Sequence, residues 1–333
     1  MKDIYEKLDP FEFNSNPDDA VRRDKIIASL GGKRFKRALD IGCGEGFISK
    51  HLSADEIYGY DPSQIALSRL PDNVKPLKRD EISGDYDLVV VAGLLNNTGD
   101  CNDVEDVIRI INKHASETIL LCHRKELEIT EAVEKIRSRE TKMIPFPYVN
   151  RDGKWTQQIK LFTVDTYVFH NIGQTKNLNY HTVEQVDKCK GRLTFDGVYL
   201  NVYENRELLR DRHVILYFMG DYLGKDNSFD KKMPLERLCD MDQLREMEAM
   251  GCVLGWHTNS HQDLRKLKDE ELDKEVTPPF PMDYFCYPYG EFDERVVKAV
   301  KNAGFKFAHA LWEKGNDTTH QLTRKMVYDD PKS

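Results

Sequence analysis

Between residues 38 and 122, short apolar runs alternate with helical segments, and this alternation constrains the chain more than any other feature. The runs at 38–41, 57–60, 86–95 and 118–122 have strand length. Segments at 47–52, 63–70 and 104–114 separate them. In the last of these, Val104, Val107, Ile108 and Ile111 share one helical face. Strands alternating with helices at this spacing predict an α/β class, with a parallel sheet covered on both faces.

The pattern changes after residue 142. Pro145, Pro147 and the Asn150–Gly153 stretch read as turns. Residues 160–169 alternate and are rich in β formers, so a strand is expected there. The polar stretch 171–189 reads as a boundary. Beyond it, short strands are expected at 192–196, 214–219, 253–256, 284–287 and 305–308, with a helix at 242–250 capped by Asp242. A length of 333 residues accommodates two such β/α domains, placed at 1–180 and 186–333.

The formal charge of −8 excludes a generally basic nucleic-acid binder. No apolar run approaches the roughly 18–20 residues of a membrane span. The opening residues lack an apolar signal region. The seven cysteines are scattered without a CxxC pair, which suits a reducing, cytoplasmic setting. Nothing in the sequence speaks to oligomeric state.

Two clusters carry chemistry. In the first, Asp40-Ile-Gly42-Cys-Gly44-Glu-Gly46 follows a strand and opens a helix. Alone it is a tight βα turn, but Asp61 ends the next strand about 20 residues on. A carboxylate there can accept hydrogen bonds from two ribose hydroxyls. Asp80 ends the third βα unit, where it could reach an adenine edge. Tyr5 and Phe11 read either as core anchors or as groups closing over a ligand.

With Asp61 and Asp80, this Gly-x-Gly-x-Gly turn resembles the class I S-adenosylmethionine-dependent methyltransferases. The stretches DPFEFNSNPDDAVRRDKIIASLGGKRFKRALDIGCGEG and YDLVVVAGLLNN further resemble the nodulation-type sugar N-methyltransferases (NodS-like). The resemblance covers roughly residues 8–125 and implies a Rossmann-like methyltransferase sheet. It also implies that Gly42, Gly44 and Gly46 cradle the amino-acid part of S-adenosylmethionine, that Asp61 holds the ribose and that Asp80 faces the adenine. Leu94–Asn97 would line the transfer mouth. His123 matches a polar corner of this family, which makes it a catalytic candidate, and its alternative reading is a solvated strand-end histidine.

In the second cluster, Asp196 closes the strand Leu193-Thr-Phe-Asp196, at the strand end where β/α barrels place chemistry. His257 and His261, four apart, would share one face of a helical turn and could reach one cation. Phe285-Cys-Tyr-Pro-Tyr-Gly290 runs into a turn whose N–H groups could serve an oxyanion.

This set resembles the NodB-type polysaccharide deacetylases over about residues 190–328. CDMDQLREMEAMGCVLGWHTNSH and FCYPYGEFDERVVKAVKNAGFKFA add to the likeness. The resemblance implies a small distorted β/α-barrel that binds zinc or a similar divalent cation. By position, Asp196 is the general base, His257 and His261 are metal ligands, and the Tyr289 N–H belongs to the oxyanion site. The family's second Asp, its third ligand, is Gly197 here, so a weakly held metal is expected. The family's late Leu-x-His acid has no clear counterpart, and His309 and His320 read as structural or as proton donors.

Three functions stay open. In the first, one enzyme deacetylates an N-acetylhexosamine unit of an amino-sugar glycan and methylates the same glycan. In the second, the methyltransferase is active and the C-terminal domain binds carbohydrate without catalysis. In the third, an active deacetylase carries a degenerate methyltransferase.

Overall fold

The computed structural model describes residues 3–96, 104–125, 133–150, 153–172, 180–231, 234–311 and 320–326. The chain divides into two compact units, Met1–Val164 and Asp165–Ser333.

The first unit holds β1 (Phe35–Ile41), β2 (Ala54–Tyr60), β3 (Lys75–Leu77), β4 (Tyr86–Ala92), β5 (Ala115–Arg124), β6 (Arg139–Asn150) and β7 (Gly153–Thr163). They form one sheet in the order β3-β2-β1-β4-β5-β7-β6. The first five are parallel, and β7 runs antiparallel to both β5 and β6. Leu39, Ile41, Val89, Val91, Ile119 and Leu121 enter one apolar cluster. Their alternates Ala38, Leu88, Val90, Leu120 and Cys122 enter another. A period of two on central strands thus feeds a core on each face. The helix Val104–His114 forms where its apolar spacing predicts and buries Val107, Ile108 and Ile111.

Several expected elements differ. The helix at 47–52 is only a 3-10 turn, Ser49–His51. The helix at 63–70 contracts to Gln64–Leu67, capped by Ser63. The expected turns at 142–153 are mostly strand β6. Pro145 and Pro147 fit it because β6 is the sheet's edge. Two residues apart, they share one side of the strand, so their missing N–H groups can face away from β7. The expected strand at 160–169 is two strands in different sheets. The change happens within two residues: Val164 N–H bonds the Glu117 carbonyl, while the Asp165 carbonyl accepts from Arg192 N–H. The division between units therefore precedes the polar stretch expected to mark it.

The second unit contains β8 (Thr166–Phe169), β9 (Asn171–Ile172), β10 (Tyr180–His181), β11 (Arg192–Asp196), β12 (Val214–Phe218), β13 (Val253–Trp256), β14 (Tyr284–Cys286), β15 (Phe307–His309) and β16 (Lys325–Met326). Among the described residues, β9 and β10 pair only with each other. The others form a sheet in the order β15-β14-β13-β12-β11-β8-β16, with every pair parallel. Leu322 also bridges His309, exchanging backbone bonds with Ala308 and Ala310. The short segment 322–326 thus bonds both sheet edges and closes a distorted β/α-barrel.

Alternation sorts the barrel's residues. Leu193, Phe195, Leu216, Phe218, Leu254 and Phe285 join the large outer core. Thr194, Asp196, Ile215, Tyr217, Tyr284, Cys286 and His309 are their alternates and fill the interior. The helix Met241–Ala249 is capped by Asp240 rather than Asp242, because the Asp240 side chain accepts from Gln243 N–H. No helix among the described residues is long and apolar enough to cross a membrane.

Candidate functional sites

The first site lies where β1 and β2 end. Gly44 has a φ of 52°. A Cβ there would lie 2.7 Å from the Tyr5 hydroxyl, so the close approach of the N-terminal segment requires glycine. Gly42 and Gly46 sit in the same turn, and side chains there would press on Leu94 and Pro71. Gly44 N–H donates to Asp61 Oδ2 at 3.0 Å, and Ser63 N–H donates to Oδ1 at 2.9 Å. The carboxylate is therefore aimed by backbone and keeps lone pairs for further donors. Burial raises its pKa despite those bonds.

Asp40 sits one turn away, 2 % exposed, and accepts from Ser49 Oγ at 2.6 Å. Burial pushes its pKa up to about 7, with the Asp61 charge adding to the effect. Asp80 lies exposed on the turn Arg79–Glu81 after β3. Tyr5 stands at the head of an aromatic row continued by Phe11, Phe13 and Phe47. Asn97 lies outside the described residues.

His123 differs from its expected solvated alternative. It ends β5 fully buried, with Nδ1 on the Arg124 carbonyl at 3.0 Å and Nε2 against Gln158 at 3.1 Å. Burial lowers its pKa. Both ring nitrogens are engaged, so it holds the strand end together and has no nitrogen spare for a substrate proton.

The second site occupies the C-terminal ends of the barrel strands. Asp196 ends β11 and is gripped by Arg324 of the closing segment. Arg324 Nη1 lies 2.6 Å from Oδ1 and Nη2 lies 2.8 Å from Oδ2. The same guanidinium meets Thr194 Oγ1 at 2.9 Å and Cys286 Sγ at 3.1 Å. Burial opposes the charge on Asp196, but the guanidinium overrides it and holds the carboxyl below the usual carboxylate range. Asp196 is thus ionised at neutral pH.

His257 follows β13, and its Nδ1 donates to the Cys286 carbonyl at 2.9 Å, leaving Nε2 available. The expected helical turn from His257 to His261 is absent. This segment is a loop with left-handed backbone at Thr258 (φ 68°) and His261 (φ 59°). Glu275 pins it by accepting from Ser260 N–H at 2.9 Å. The loop still brings the two rings within 4.8 Å, centre to centre. His261 Nδ1 is buried and has no hydrogen-bond partner. Burial lowers the pKa of both, that of His261 to about 3, with the His257 charge adding to the effect.

Gly197 has a φ of 89°, and a Cβ there would meet only Met219, Tyr199 and Leu238. Tyr289 lies in the turn Pro288–Gly290 with a φ of 61°. Its ring flanks His261 at 4.7 Å. A groove of about 620 Å³ runs past both, with Tyr222, Phe229, Asp263 and Arg265 also lining it. Strained left-handed residues thus gather at this end of the barrel. His309 and His320 are engaged elsewhere, by the Tyr217 hydroxyl and the Phe305 carbonyl respectively. His170 at the end of β8 feels the charge of Asp196 and acts on both site histidines. The sequence flagged neither His170 nor Arg324.

The donor set fits a divalent cation in part. Two neutral imidazoles, one oriented and one with an orphaned nitrogen, suit zinc or cobalt. Asp196, the carboxylate grouped with His257, is already held by Arg324. The first site fits a nucleoside donor through Asp61 and its spare lone pairs.

Residues 192–308 match the family model for polysaccharide deacetylase. No curated protein sequence matches the chain. Among solved structures, IcaB from Ammonifex degensii is 17% identical, covers 50% of this chain and 92% of its own, and has a TM-score of 0.42. The Streptococcus pyogenes deacetylase PplD, in complex with acetate, is 14% identical, with 48% and 90% covered and a TM-score of 0.39. The N-methyltransferase NodS from Bradyrhizobium japonicum WM9, in complex with S-adenosyl-L-homocysteine, is 15% identical, with 48% and 93% covered and a TM-score of 0.39. The polysaccharide deacetylase match thus falls on the second unit's barrel, from β11 into β15, and the sheet that precedes it has the Rossmann-like order β3-β2-β1-β4-β5-β7-β6.

Proposed function

We propose that the chain is a bifunctional, cytoplasmic enzyme of amino-sugar glycans, pairing N-deacetylation with S-adenosylmethionine-dependent methyl transfer. The observation that carries this reading is Asp196. It is a buried carboxylate held ionised at the mouth of a barrel, beside two neutral histidines and an aromatic-walled groove large enough for sugar units.

In the deacetylase, His257 Nε2 and His261 would hold the cation, which supplies polarisation of the amide carbonyl. Asp196 takes a proton from the attacking water. The Tyr289 N–H faces the developing oxyanion. The C–N bond then breaks, acetate leaves, and the amine takes up a proton. In the methyltransferase, Asp61 binds the ribose, the Gly42–Gly46 turn receives the amino-acid part, and Asp80 stands by the adenine. S-adenosylmethionine supplies the methyl group, so the chain's main contribution is alignment. Deacetylation frees an amine that methylation can use, which gives the fusion a chemical order.

A second reading keeps the methyltransferase and makes the barrel a carbohydrate-binding module. Gly197 and the double hold of Arg324 on Asp196 favour it, because both remove carboxylate from a metal's reach.

The test is a mass-spectrometric screen of acetylated and free amino-sugar oligomers with the full chain, methyl donor and zinc. The first reading expects acetate release from the acetylated sugar and one methyl added only after deacetylation. Methylation of the free amine with no acetate release supports the module. No methyl transfer to any acceptor overturns both.

A further inference from the structure

Asp196, His257 and Cys286 each place a donor atom within 4.8 Å of the others, all buried. An imidazole nitrogen, a thiol sulfur and a carboxylate oxygen would suit a borderline metal such as zinc or cobalt(II). A cation already sits among them. Arg324 Nη2 lies 2.8 Å from Asp196 Oδ2 and 3.1 Å from Cys286 Sγ. Its side chain is fully buried and is delivered by the segment that closes the barrel.

We infer that Arg324 is the resident cation of this site. It occupies two of the three donors of a latent Asp196–His257–Cys286 metal centre and so confines any divalent ion to the histidine pair. The argument is one of exclusion and donor chemistry. A guanidinium has only donor N–H groups and cannot share a lone pair with a metal. Its planar fork uses both oxygens of Asp196, and the adjacent Nη2 covers the thiol. Metal binding through Cys286 Sγ would displace the thiol proton to solvent. Confinement to the histidines rests on the cation-binding reading of His257 and His261. The masking of Asp196 and Cys286 by Arg324 does not.

Cobalt(II) titration of the full chain tests it, read by stoichiometry and by the thiolate-to-cobalt charge-transfer absorption. Wild type should show no thiolate band, and Cys286→Ser should leave its cobalt affinity within twofold. Arg324→Met should bind cobalt at least tenfold more tightly, gain the band and release one proton per ion. Arg324→Met/Cys286→Ser should lose the band. Arg324→Gln repeats the test with a polar neutral side chain if the Met variant does not fold. A thiolate band in wild type overturns the inference, as does a folded Arg324 variant with unchanged affinity and no band. If neither variant folds, the Cys286→Ser comparison in the wild-type background decides. Wild type that binds no cobalt, with gain in Arg324→Met, would remove the histidine-pair reading and uphold the role of Arg324.

Discussion

Asp40 and Asp196 both stand near the ends of parallel strands, yet their surroundings push their charges in opposite directions. Asp40 has a hydroxyl donor in Ser49 and feels the charge of Arg22 only weakly, so burial dominates and its pKa rises to about 7. The folded chain then holds a proton that the unfolded chain has lost, so stability falls as pH rises from about 4 to 7. The full cost is on the order of 4 kcal/mol. Asp40→Asn keeps an acceptor for Ser49 and should flatten that slope, read by urea denaturation at pH 5 and pH 8. An unchanged difference between the two pH values would place the slope elsewhere. Asp196 behaves in reverse. Its pKa is depressed in the fold, so its contribution is present above the unfolded pKa and is lost as pH falls from there toward the folded pKa, below the usual carboxylate range. The ribose-binding role proposed for Asp61 has its own test. Asp61→Ala should weaken S-adenosylmethionine binding by about 1–3 kcal/mol by calorimetry. Normal affinity would take the ribose away from that carboxylate.

At the scale of elements, the closing segment 322–326 does more than its length suggests. Leu322 N–H bonds the Ala308 carbonyl, and Lys325 and Met326 pair with β8. Between them Arg324 enters the interior. Leu322→Pro removes one closing bond and should shift the register that presents Arg324. Arg324→Ala leaves Asp196 buried and uncompensated, a loss of about 3–5 kcal/mol. Both should lower the thermal midpoint, with Arg324→Ala also steepening the loss of stability above the carboxylate range. A midpoint within 1 °C (about 0.3 kcal/mol) of wild type in both would mean that the barrel is held shut by other contacts.

That segment also shows where sequence reading stops. The turn at Gly42–Gly46 and the strand end at Asp61 were legible because turn, strand and spacing are local. The strand end at Asp196, the place of His257 after β13 and the turn at Tyr289 were legible because the motifs are local in the chain, while the roles a resemblance gives them are proposals. Arg324 lies 128 residues from its partner, just before a two-residue strand without pattern. The loop shape at His257–His261 was illegible for another reason. Its left-handed residues are Thr258, whose branched side chain disfavours that backbone, and His261, whose mild enrichment there does not single out a loop. The strand expected over 160–169 misled because alternation continued through Val164 and Asp165 while the hydrogen-bond partners changed sheets.

For the whole molecule, the key feature is that β7 and β8 belong to different sheets with only Val164 and Asp165 between them. Each of the two is hydrogen-bonded into its own unit. Each unit also has its own apolar clusters. Calorimetry of the full chain should therefore resolve two unfolding transitions. S-adenosylmethionine at a hundred times its dissociation constant should stabilise the first unit by about 2.7 kcal/mol. That is about 2–4 °C in midpoint for each kcal/mol. Arg324→Ala should lower only the other transition and leave the ligand-induced shift intact. A single transition that responds to both the ligand and the substitution would show that the units unfold as one. In that case the sites would be linked through folding even though each is built within its own unit.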